Sequence, residues 1–275
     1  MQSIMCKENR KAGLSVNNIN GSWPMPFRER FCYPKDFIKI HSNSTLLMIG
    51  DSITDCGRVR SVAESVSDLL GYGYVKLIHN MLAATCPRQH IRILNKGISG
   101  NTVRHLTARW QSDVLDLKPD WLSIMIGIND VWPKFDACQP DEWFVPIDEY
   151  ASTLEHLIRT TRPHLKGIVL MTPYCIEPDR AEPMRAMMDQ YGEVVRQLAR
   201  QYQAILVDTQ AAFDFVLTEV PPTALALDRV HLNLTGHMIL AQHFFKAVGY
   251  KGLACCPPLP SIPQYAEVPP DVEAK

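Results

Sequence analysis

What most constrains the fold of this 275-residue chain is a rhythm of five short, continuous apolar runs separated by longer segments of helical period. The runs occupy residues 45–49, 91–94, 121–126, 167–171 and 204–207, bounded by Gly, Asn, Asp or Thr. They are continuous rather than alternating, as strands buried on both faces are. Between them, residues 102–117 place Val103, Leu106, Trp110, Val114 and Leu117 three and four apart, the stripe of an amphipathic helix. Similar patterns run through 148–161, 183–202 and 235–248. Strands alternating with helices call for a parallel sheet covered on both sides. The expected fold is therefore α/β, a three-layer α/β/α sandwich on a five-stranded parallel sheet.

Both ends fall outside this scheme. Residues 1–44 carry Trp23, Pro24, Pro26, Phe27, Phe31, Tyr33 and Pro34 without a period, too aromatic for a linker, and read as an N-terminal arm. Residues 251–275 are Pro-rich and read as an extended tail, which leaves 45–250 as the sheet domain. Hydrophobic residues make up 46% of the chain and charged residues 21%, the composition of a globular domain. Lys plus Arg (28) balances Asp plus Glu (29), so the net charge of −1 gives no footprint for a nucleic-acid backbone. No apolar run reaches the roughly 18 residues of a membrane span. The first twenty residues also lack the apolar core of a secretory signal. A cytoplasmic protein with neither a nucleic-acid nor a membrane partner is expected. The eight cysteines show no CxxC and no ligand spacing, so reduced thiols and no metal site are expected.

Ligands of such sheets bind beyond the carboxyl ends of the strands. The first run leads into Gly50-Asp51-Ser52, the second into Gly97-Ile98-Ser99-Gly100-Asn101, and the third into Gly127-Ile128-Asn129-Asp130. Asp228-Arg229-Val230-His231 precedes the last helix. A serine hydroxyl needs a base to become a nucleophile, and His231 can serve if a carboxylate holds its other ring nitrogen. Asp228, three residues earlier, reaches that nitrogen if 228–231 turns. Gly100, Asn129 and the Ser52 backbone can supply N–H donors to a tetrahedral oxyanion. Asp51, Arg58, Asp130, Trp132 and Tyr174 lie near these residues and complete the candidate substrate-binding set. Asp51 and Asp55 also suit turn stabilisation, Arg58 suits pairing with Asp55, and Trp132 offers an aromatic wall for a sugar face. His237 falls inside the last helix and reads as structural.

The segments IGDSITDCGR (49–58), NKGISGNT (95–102), MIGINDVW (125–132) and DRVHLNLTGHMILA (228–241) resemble the four blocks of the SGNH, or GDSL-type, hydrolases. The resemblance implies a flavodoxin-like α/β/α fold and ester hydrolysis without a cofactor. It implies Ser52 as nucleophile, Gly100 and Asn129 as oxyanion donors, and Asp228 and His231 as the other triad members. The longer stretches NKGISGNTVRHLTARW, KPDWLSIMIGINDVW, KGIVLMTPY and VDTQAAF look like bacterial acetylxylan and xylo-oligosaccharide acetylesterases. That likeness implies a small acetylated carbohydrate as substrate and a homo-oligomer as the assembly. In that group an aromatic residue ahead of the aspartate helps shape the acyl pocket; Leu227 stands there in this chain. Three alternatives stay open. Ser99 is the nucleophile of an imperfect Gly-x-Ser-x-Gly elbow. The same triad serves a general short-chain esterase, thioesterase or lysophospholipase. The fold has lost the reaction and only binds.

Overall fold

The computed structural model describes residues 38–60, 68–136 and 141–251. The expected tail beyond Lys251 and most of the expected arm lie outside the described residues. The last part of that arm, 38–44, belongs to the domain: Ile38 and Ile40 are buried, and the Lys39 N–H donates to Val248 O at 2.9 Å. Five parallel strands form one sheet: β1 (Thr45–Gly50), β2 (Arg92–Gly97), β3 (Trp121–Met125), β4 (Gly167–Met171) and β5 (Ile205–Val207), in the order β2-β1-β3-β4-β5. Two central strands, β3 and β4, are buried at every residue, as the continuous apolar runs require.

β2 runs on to Gly97, beyond the expected end at 94. The extension carries the polar pair Asn95 and Lys96, which reads as a loop. Asn95 is nonetheless buried at no net loss, because its side-chain amide donates to Thr54 O (2.7 Å) and Leu70 O (2.9 Å).

The helices are α1 (Ser52–Asp55), α2 (Tyr74–Thr85), α3 (Val103–Trp110), α4 (Ile128–Val131), α5 (Ile147–Thr161), α6 (Pro183–Gln201), α7 (Thr209–Val216) and α8 (Leu234–Ala247). They form two groups: α3 packs on α5 and α5 on α6, while α8 packs on both α2 and α7. The segment expected as one helix over 102–117 departs from that reading after Trp110, whose indole N–H donates to Thr161 (2.8 Å). The next turn, Gln111–Leu115, widens to π geometry. Val114 stays buried in that turn, but the helical run ends with it at Leu115, and Leu117, expected in the core, lies beyond in a turn and is exposed. Four helices lie outside the expected segments: α2, which buries Tyr74, Val75, Ile78 and Leu82, and the short α1, α4 and α7.

Register places the strand ends together. Gly50 stands opposite Gly97 on one side and Met125 on the other. The chain leaves β1 for β2 at one edge and later returns to β3 on β1's other side. The crevice between β1 and β3 is therefore the switch point where such sheets bind ligands. Among the described residues, no helix is long and apolar enough to cross a membrane.

Candidate active site

β1 ends at Gly50 and the chain turns directly into α1. The buried Asp51 carboxyl caps that helix by accepting the Ile53 N–H (3.0 Å). Ser52 is thus the first helical residue, where a backbone N–H has no partner within the helix. Its Oγ lies 3.1 Å from His231 Nε2, and His231 Nδ1 lies 2.6 Å from Asp228 Oδ2. The carboxylate sets the tautomer: Nδ1 keeps the proton, and Nε2 is left to accept the serine hydroxyl.

Asp228 builds its own turn, since Oδ1 accepts the N–H groups of Val230 (3.0 Å) and His231 (2.7 Å). Partial burial works against its charge. The bonds from the His231 ring and from the two N–H groups outweigh that and hold the carboxyl below its usual range. The turn is braced from behind, where the Tyr174 hydroxyl donates to Val230 O (2.9 Å) and the Ile176 N–H to Arg229 O (2.9 Å). Tyr174→Phe leaves that carbonyl short of its donor in a fully buried place, and is expected to cost about 1–3 kcal/mol. Urea denaturation measures the loss, and an unchanged midpoint would show that the brace is dispensable.

The oxyanion side comes from the other two strand ends. Gly100 has φ +79°, a left-handed conformation open to glycine, and no atom lies within 4 Å of where a Cβ would stand. Gly127 starts α4 at φ +136°, with Pro173 only 2.8 Å from a would-be Cβ, so no larger residue fits. Asn129, two residues on, donates one amide hydrogen to Asn101 O (3.0 Å) and keeps a second. Ser52, Gly100, Asn129 and His231 line one cavity of about 570 Å³, with Tyr72, Trp132 and Trp143 among its walls. The Trp132 and His231 rings meet edge to face, with centroids 5.7 Å apart.

Of the expected substrate-binding residues, Trp132 alone lines this cavity. Asp130, Tyr174 and Leu227 are corrected by their surroundings, and Asp51 and Arg58 take the turn-stabilising and Asp55-pairing places that also suited them. Asp51 and Asp130 are buried, bonded to the backbone of Ile53 and Val103. Arg58 donates to Gly97 O (2.7 Å) and sits 3.6 Å from Asp55. Tyr174 is wholly buried behind the His231 turn, and Leu227 is 89% exposed, away from the cavity. Ser99 faces the cavity but has no histidine beside it; its hydroxyl and N–H both donate to Asp55 Oδ2 (2.8 and 3.1 Å). Tyr72 and Trp143 carry no mark in the sequence, where neither stands beside a motif. His237, read as structural, accepts the Tyr74 N–H (3.3 Å) and also reaches the cavity, 3.4 Å from Cys56 Sγ. Burial lowers its basicity to about 4, so it is neutral.

A hydroxyl, an imidazole and a carboxylate in sequence, beside three N–H donors from three strand ends, define a serine hydrolase of acyl groups. Comparison with known proteins narrows the class. The chain belongs to the GDSL-like lipase/acylhydrolase family, whose model matches residues 48–239, and it is a carboxylic ester hydrolase. It is 53% identical over 214 residues to an acetylxylan esterase of Geobacillus stearothermophilus, covering 78% of this chain and 98% of that one. The crystal structure of that enzyme superposes with a TM-score of 0.75 at 54% identity, covering 78% of this chain and 97% of the other. An α/β hydrolase from the metagenome of Lake Arreo, Spain, gives the same TM-score at 46% identity, covering 77% and 98%. Structures of the Geobacillus enzyme include catalytic mutants with a serine, an aspartate or a histidine replaced by alanine. Those three residues are spaced along their chain as Ser52, Asp228 and His231 are along this one.

Proposed function

We propose that this esterase removes O-acetyl groups from acetylated xylo-oligosaccharides through an acyl-enzyme, with Ser52 as nucleophile, His231 as base and Asp228 as its orienting carboxylate. The observation that carries the reading is the Ser52–His231–Asp228 relay opening into a cavity of about 570 Å³. An acetyl group is a small fraction of that volume, which suits a ligand of drug size. The remaining room, walled by Trp132, Trp143 and Tyr72, fits the flat apolar faces of sugar rings. The spacing shared with the Geobacillus catalytic mutants and the 53% identity to an acetylxylan esterase support the same reading.

Ser52 Oγ attacks the acetyl carbonyl carbon while its proton passes to His231 Nε2. The carbonyl oxygen becomes an oxyanion and is received by the N–H groups of Ser52 and Gly100 and the free amide hydrogen of Asn129. As the carbon–oxygen bond to the sugar breaks, His231 gives its proton to the departing sugar oxygen. A water molecule then attacks the acyl carbon with His231 as base, the bond from that carbon to Ser52 Oγ breaks as His231 returns the proton to Oγ, and acetate leaves.

The test is acetate release from acetylated xylo-oligosaccharides, compared with hydrolysis of phenyl acetate and phenyl butyrate. The expected result is efficient release from the oligosaccharide and a preference for acetyl over butyryl. Hydrolysis of the phenyl esters without release from the oligosaccharide would remove the carbohydrate substrate and leave a general short-chain esterase. Asn129→Ala should lower kcat on any of these esters by about 10²–10³.

A further inference from the structure

Asp130 is fully buried directly behind Asn129 and takes no part in the steps above. Its Oδ1 accepts the N–H of Val103 (2.9 Å), the first residue of α3, and its Oδ2 has no hydrogen-bond partner among the described residues. Asn129 and Asp130 thus reach the β2–α3 loop side by side, one through Asn101 O and the other through the Val103 N–H. The same loop is held from the opposite side by Asp55, which accepts from Ser99, and by Arg109, which donates to Asn101 Oδ1 (2.7 Å). Gly100 lies between these anchors.

We propose that Asp130 is a positioning residue for the oxyanion hole: by tying α4 to the start of α3 it fixes the Asn129 amide against the Gly100 N–H. The inference rests on the esterase mechanism above. The two donors come from separate strand ends, and the bonds of Asn129 to Asn101 O and of Asp130 to the Val103 N–H are what join the two segments. The second holds the backbone of α4 from which the Asn129 amide reaches. Misplacement of a reacting group by about 1 Å can cost about 10² in rate, so a rigid tie between the donors has a direct kinetic return.

The carboxyl makes this tie without presenting a charge. A carboxylate beside a developing oxyanion, in surroundings of low dielectric, would oppose it. Burial pushes the Asp130 carboxyl up to about 8; the bond from Val103 and the charge of Arg104 act against the rise, and Asp51 adds to it. Asp51 stands in the β1–α1 turn and is itself pushed up to about 7 by burial. Tyr150 from α5 and Tyr191 from α6 face the same carboxyl, and burial raises both. Near neutral pH Asp130 is therefore an acceptor in its neutral form, and an asparagine can imitate it.

The experiment compares kcat and KM on phenyl acetate for the wild type, Asp130→Ala, Asp130→Asn, Asn129→Ala and the double variant Asn129→Ala/Asp130→Ala. Asp130→Ala is expected to lower kcat by about 10 to 10² with little change in KM. Asp130→Asn, whose amide oxygen can still accept from Val103, should recover most of that loss. Once Asn129 is alanine the donor being positioned is gone, so adding Asp130→Ala should cost far less than it does in the wild type. An Asp130→Ala enzyme with wild-type kcat, or one equally impaired with and without Asn129, would overturn the proposal. If Asp130→Ala does not fold, Asp130→Leu, which fills the site but has no acceptor for the Val103 N–H, takes its place in the same comparison, and wild-type kcat in that variant would overturn the proposal. A silent Asn129→Ala would instead refute the oxyanion hole itself, a failure separate from that of Asp130 alone.

Discussion

Ser52→Ala is expected to lower kcat on acetyl esters by about 10⁶, with the protein still folded. The size follows from the absence of a substitute in the cavity. The Ser52 hydroxyl is the group 3.1 Å from His231 Nε2, and the nearby Ser99 hydroxyl is committed to Asp55. Folding should survive, because α1 is capped by Asp51 rather than by Ser52. The residual rate, about 10³–10⁴ above water, would come from the oxyanion donors and from binding alone. Ser99→Ala is the matched control. It removes one donor from Asp55, which retains the Ser99 N–H and Arg60, so the loss should stay within about tenfold. Acetate release and the thermal midpoint of both variants settle the assignment. An active Ser52→Ala paired with an inactive Ser99→Ala would move the nucleophile to the elbow-like segment.

The sheet was legible because apolar runs buried on both faces leave a continuous mark, and β4 begins and ends where its run does. β2 was cut short because a buried polar residue looks like a loop residue until its partners are known, and the partners of Asn95 lie at Thr54 and Leu70. The early end of the helix that begins at Val103 follows a widened turn at Gln111–Leu115 that a fixed helical period does not register.

The same division runs through the site. Ser52, Gly100 and Asn129 stand out because their chemistry coincides with strand ends, and Asp228 and His231 because they pair three apart ahead of the last helix; the fold brings them to one cavity or one relay. Their immediate neighbours misled. Each step along a helical turn rotates the side chain by about 100°, so the residue after Asn129 points into the core while Asn129 points to the cavity. Asp130 therefore looks like a substrate contact in the sequence and is a buried tie in the fold. Tyr174 follows a strand end as the others do, but supports the histidine turn from behind. Tyr72 and Trp143 enter the cavity through the packing of separate loops, which no local pattern announces.

Asp228→Asn is expected to lower kcat by about 10⁴, and to do more harm than Asp228→Ala. Asp228 Oδ1 is occupied by the N–H groups of Val230 and His231, and the asparagine carbonyl can keep both bonds. Its amide nitrogen then falls where Oδ2 stands, 2.6 Å from His231 Nδ1. There it donates a proton, so Nδ1 becomes the acceptor and Nε2 carries the hydrogen. A protonated Nε2 cannot take the proton of Ser52, and the relay is locked in the wrong tautomer. Alanine locks nothing. The Asp228 and His231 side chains are 43% and 49% exposed, so water can reach Nδ1 and accept its proton once the carboxylate is gone. That rescue should leave Asp228→Ala about tenfold more active than Asp228→Asn, even though alanine also gives up the two bonds that shape the turn. Steady-state kinetics on phenyl acetate compare the two variants directly. An alanine variant equal to or worse than the asparagine would show that Asp228 acts chiefly by holding the shape of the 228–231 turn; the expected order would show that it acts chiefly on the imidazole proton.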